Sequence, residues 1–78
     1  MNVRQRLQQV MRELFDDEDL EIRDDMTAEE VPDWDSLAHV RLIVAVEKEF
    51  DVRFSSGEVG DIDTVGALLR LIQVKLAG

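Results

Sequence analysis

Cysteine is absent from this 78-residue sequence. No disulfide framework and no thiolate metal site is available, and the core has to rest on aliphatic packing. Long apolar runs are missing too. Nothing approaches the roughly 20 residues that a membrane span needs. The start, Met1-Asn2-Val3-Arg4-Gln5-Arg6, lacks the apolar stretch of a signal peptide and reads as the first turns of a helix, so cytoplasmic residence is expected. Starting at Met1 and ending at Gly78, with no linker-like Pro or Ser run at either end, the sequence is expected to be a discrete protein. There is no glycine-rich phosphate loop, no Gly-x-Gly-x-x-Gly run, and no stretch with the ligand spacing of a calcium loop. His39 is the single histidine, which leaves no transition-metal site.

Size excludes more. A chain this short buries only about 60–65% of the surface that its unfolded form exposes. One domain spanning 1–78 with one modest core is expected, and a free-standing enzyme with its own cleft is hard to fit. The Ser36/His39 pair, three apart on one helix, has no preceding strand and no glycine-rich oxyanion loop, so a hydrolase is set aside.

What is present is acidity, unevenly spread. The net charge is −9, with +3 over residues 1–12, −11 over 13–35 and −1 over 36–78. Such a chain repels nucleic acid and anionic membrane and favours partners with basic patches. The plainer alternative is that the acids serve solubility.

Apolar periodicity organises the chain as an all-α, small four-helix bundle, with three longer helices, one short helix and a long loop between the first two. Val3, Leu7, Val10, Met11, Leu14 and Phe15 draw one stripe over residues 3–15. Arg4 and Arg6 oppose the helix dipole there and are expected to make some other contact. Residues 16–35 break the pattern, with Leu20, Ile22, Met26, Val31 and Trp34 as anchors and Thr27–Glu30 as a short capped turn. Asp35 or Ser36 caps a second helix that runs to about Phe50. Leu42, Ile43, Val46 and Phe50 share a sector of about 100°, and His39 lies there as an edge-of-core residue. Leu37, Val40 and Val44 occupy roughly the opposite side beside Arg41 and Lys48. This second apolar face is either a partner surface or is buried under the long loop. Asp51–Phe54 reads as an extended connector. Ser55 and Glu58 have capping-box spacing at the start of a short helix. Asp63 or Thr64 caps a last helix with Val65, Leu68, Leu69, Ile72 and Leu76 in its stripe.

Ser36 then stands out. A serine at a helix start is ordinarily only a cap, but here Asp35-Ser36-Leu37 follows an acidic loop and opens a helix with two apolar faces. Together with Val40, Leu42, Glu47, Glu49-Phe50-Asp51 and Ile62-Asp63-Thr64-Val65, this resembles acyl carrier proteins over the full length of the chain. The resemblance implies that Ser36 receives 4'-phosphopantetheine from coenzyme A through a phosphopantetheinyl transferase, with Asp35 and Leu37 completing the motif. Asp35 would cap the helix and contact the transferase. The protein would tether an acyl or aminoacyl group as a thioester and present it to a loading ligase and to ketosynthase- or acyltransferase-type enzymes. It would do so as a monomer and without catalysis of its own. Leu37, Val40, Arg41, Val44 and Glu47 are the expected partner surface. The alternative is an acidic helical adaptor that docks a basic partner without a prosthetic group. Carriers of primary fatty acid synthesis commonly place acids two and five residues after the serine. Here those positions are Ala38 and Arg41, Lys48 replaces another frequent acid, and Trp34 is bulkier than usual. These departures point either to a specialised carrier or to drift on a surface helix.

Overall fold

In the computed structural model, which describes residues 2–78, all regular structure among the described residues is helical. Helix α1 spans Val3–Leu14, α2 Ser36–Phe50, α3 Ser56–Gly60 and α4 Val65–Ala77. A 3-10 turn at Ala28–Glu30 interrupts the long loop.

Local chemistry fixes each start. Asn2 opens α1 with a reciprocal box: its Oδ1 accepts from the Gln5 N–H (2.8 Å) and the Gln5 side chain accepts from the Asn2 N–H (3.1 Å). Ser55 and Glu58 do the same for α3. Of the two caps open for the last helix, Thr64 is the one used, with its hydroxyl accepting from the Ala67 N–H at 3.1 Å. At the other end of α2, Asp51 turns left-handed (φ 55°, ψ 51°) and stops the helix.

Helix α1 packs against α2 and α4. Leu7, Met11, Leu42, Val46, Val65, Leu68 and Ile72 are fully enclosed between them. Arg6 binds α1 to the end of α2. Its guanidinium donates to the Glu49 carboxylate (3.1 Å) and the Glu49 carbonyl (2.6 Å), and it lies 4.4 Å above the Phe50 ring. Arg4 pairs with Asp24 in the loop. These are the contacts expected of two arginines placed against a helix dipole.

The loop is laid across the bundle. Ile22, Met26, Val31 and Trp34 are buried anchors and Leu20 is half-buried. Its backbone is tied at several points: Arg12 donates to the Leu20 carbonyl (2.6 Å), the Ile22 N–H donates to Gln8 (3.0 Å), and the N–H groups of Val65 and Gly66 donate to the Met26 and Asp24 carbonyls. One expectation fails. Leu76, on the Ile72 stripe, is 46% exposed, because the last turn of α4 runs past Ile72, the final buried layer of the stripe.

Candidate functional site: the start of α2

The chain reaches α2 through a tight approach. The Trp34 N–H donates to the Val31 carbonyl at 3.0 Å and the Asp35 N–H to the Asp33 carbonyl at 3.1 Å. Trp34 itself is buried. Its ring lies 6.1 Å from that of Phe15 and 6.0 Å from that of His39, nearly parallel to it (22°), and its indole N–H donates to His39 Nδ1 at 3.2 Å. His39 is thus an edge-of-core residue with its Nδ1 lone pair occupied.

Asp35 is the cap. Its carboxylate accepts from the Ala38 N–H (2.8 Å) and its carbonyl from the His39 N–H (2.9 Å). Ser36 becomes the first helical residue, exposed, with its hydroxyl not needed for capping. Among the described residues, the N–H groups of Ser36 and Leu37 have no protein acceptor, as the first turn of a helix leaves them. A phosphate attached there would meet these donors and the positive end of the dipole.

Beside Ser36 lies an open cavity of about 450 Å³ lined by Ala28, Trp34, Asp35, His39, Ile62 and Asp63. Sequence reasoning did not join these residues to Ser36. Ala28, Ile62 and Asp63 come from distant segments, and periodicity within one element carries no signal for that meeting. Asp63, read as one of two possible caps, borders the cavity instead.

Leu37, Val40, Arg41 and Val44 all lie on the solvent side of α2, with Leu37 59% exposed. The long loop leaves this face open. Glu47 is placed differently from its neighbours. It is half-buried, and its carboxylate accepts from the Phe54 N–H at 2.8 Å, which secures the connector after α2.

The site fits the prosthetic group that the sequence resemblance implies. An exposed hydroxyl, two unused N–H donors and an adjoining partly apolar cavity are what a phosphate followed by a flexible arm requires. No curated protein matches the sequence. The family described as "phosphopantetheine attachment site" matches residues 5–72. Among solved structures, the holo acyl carrier protein from Geobacter metallireducens is similar, with 34% identity and a TM-score of 0.92, over 99% of this chain and 88% of that one. On these grounds the chain belongs to the acyl carrier protein family of phosphopantetheine-attachment proteins, non-catalytic carriers that work through a covalently attached phosphopantetheine arm.

Proposed function

We propose that Ser36 is the residue that bears the arm, and that the loaded protein carries an acyl or aminoacyl group for a specialised biosynthetic pathway. The observation that carries this reading is the exposed Ser36 hydroxyl at the first position of α2, with the cap already supplied by Asp35. A serine hydroxyl is too weak a nucleophile to load acyl groups by itself. When bound, the arm supplies a thiol on which the group is held as a thioester.

This chain's own residues have the remaining tasks. The Ser36 and Leu37 N–H groups hold the phosphate, and Ala28, Trp34 and Ile62 give the first part of the arm an apolar wall. Asp35 repels the phosphate, and its work is to cap α2 and to meet the transferase. The tether raises the effective concentration of its cargo at each partner in turn. Those partners are a phosphopantetheinyl transferase, a loading ligase and ketosynthase- or acyltransferase-type enzymes, met by a monomeric carrier in the cytoplasm. Ala38 and Arg41, where acids are common in fatty-acid carriers, favour partners outside bulk fatty acid synthesis.

Incubation with coenzyme A and a broad-specificity transferase, followed by intact-mass measurement, tests the assignment. The parent gains one phosphopantetheine and Ser36→Ala gains none. Equal labelling of the two proteins overturns it. An adaptor working without the arm would bind its partner equally well as Ser36→Ala.

A further inference from the structure

Ser36 and His39 stand three residues apart in the first turn of α2, which sets their side chains next to each other, with about 5–6 Å between the Cβ atoms. Both border the cavity of about 450 Å³. The contact between Trp34 and His39 fixes the chemical state of the imidazole. An indole N–H can only donate, and it donates to His39 Nδ1 at 3.2 Å. That nitrogen therefore carries no proton in this arrangement, and the proton of the neutral ring sits on Nε2.

Nε2 is left uncommitted. Among the described residues no group accepts from it, and no side-chain nitrogen or oxygen is both buried and without a partner. His39 is half-buried, so its Nε2–H reaches solvent from a partly covered ring. With Nδ1 tied to the indole and the two rings 22° from parallel, the opposite edge is a donor of restricted direction. Two carboxylates border the same cavity, and neither takes this donor. The Asp35 carboxylate accepts from the Ala38 N–H, and Asp63 is turned to solvent. Lysine and arginine are absent from the lining, so an anion on Ser36 has to be held by neutral N–H groups.

We propose that His39 is a positioning residue for the arm: its Nε2–H donates to the phosphate on Ser36, and Trp34 fixes the tautomer that makes it a donor. This deepens the carrier reading and rests on it. The Ser36 and Leu37 N–H groups approach the phosphate along the helix axis, and His39 approaches it from the side. Two directions of approach restrain the phosphate where one alone leaves it free to swivel, and they offset the repulsion from Asp35.

The test is NMR of isotopically labelled protein before and after loading with coenzyme A and a broad-specificity transferase, with intact mass confirming the loading. Long-range proton–nitrogen correlation in the imidazole reads the tautomer. In the unloaded protein Nδ1 is expected to resonate as an unprotonated nitrogen and Nε2 as a protonated one, and Trp34→Phe should mix the two forms. Loading is expected to slow exchange of the Nε2 proton with water about tenfold, as a charge-assisted hydrogen bond does. In fully loaded His39→Phe protein the phosphorus resonance should move towards that of free phosphopantetheine. His39→Gln, which keeps a side-chain N–H donor, should recover part of the difference and guards against a folding defect in the phenylalanine variant. A proton on Nδ1 in the parent, an Nε2 proton indifferent to loading, or a phosphorus resonance unmoved by both variants each overturns the proposal. An Nε2 proton that responds to Asp63→Asn and not to loading also overturns it and assigns the donor to that carboxylate. Absence of any mass gain in the parent removes the carrier reading and this role with it. A full mass gain beside an unresponsive His39 leaves the carrier reading standing and removes only the positioning role.

Discussion

Trp34 holds the start of α2 in two ways, through its buried ring against Phe15 and through its N–H on His39. The two contributions are separable. Trp34→Phe keeps most of the ring and loses the hydrogen bond, and should cost about 1 kcal/mol. Trp34→Ala empties the site and should cost about 3–5 kcal/mol, as large-to-small core changes do. Urea unfolding followed by circular dichroism measures both. Equal losses would show that the N–H, and not the ring, secures the position. With Ser36 as the proposed attachment point, either change should also slow phosphopantetheine loading, because the cap at Asp35 follows directly on the anchored tryptophan. The spacing of Asp35-Ser36-Leu37 was legible in the sequence. The Trp34–His39 contact was not, because it joins a loop residue to a helix residue and follows no helical period.

At the scale of elements, the attachment of the loop to α4 depends on Gly66. A Cβ there would lie 2.7 Å from the Asp24 carbonyl oxygen, the same atom that accepts the Gly66 N–H. Alanine is the better helix former by about 1 kcal/mol. The clash is with backbone, which yields less easily than a side chain. Gly66→Ala is therefore expected to destabilise by about 1–3 kcal/mol and to raise hydrogen exchange in residues 22–26. A stabilised variant would mean that the loop moves aside at no cost. Helix α3 is pinned by Glu58, whose carboxyl is held below its ordinary value of 4.5, first by the Ser55 backbone N–H and then by Lys75 on α4. A lowered carboxyl favours the folded state when ionised. Its contribution is present above about pH 4.5 and is lost as pH falls through the lowered folded-state value. Amide exchange over Ser55–Asp61 should thus accelerate in acid, and Glu58→Gln should remove that component. The short helix was expected from the Ser55/Glu58 spacing. Its tie to Lys75 was not, since the two residues are far apart in sequence.

For the whole molecule, charge and compactness pull in opposite directions. The radius of gyration of 11.4 Å is that of a fully folded chain of this length. Yet residues 13–35 carry −11 and wrap across the bundle. Raising ionic strength from near zero to about 0.5 M screens this repulsion over distances beyond a few Å. A gain of about 1 kcal/mol, read as a Tm rise of about 4–8 °C, is the expected outcome. A fall in Tm would mean that the ion pairs of Arg4, Arg6, Arg23 and Lys75 outweigh the repulsion. The sequence by itself determined the helices, their caps and the buried face of α2, because periodicity and capping act between residues a few positions apart. It also left two outcomes open for the second face of α2 and two caps open at each of two helix starts. Tertiary structure closed them. It laid the loop over Phe15 and α4 and left Leu37, Val40 and Val44 in solvent. It used Asp35 for capping, which left the Ser36 hydroxyl out of the cap. It brought Ala28, Ile62 and Asp63 to the side of that serine, a meeting of distant segments that only the packing of the whole chain could fix.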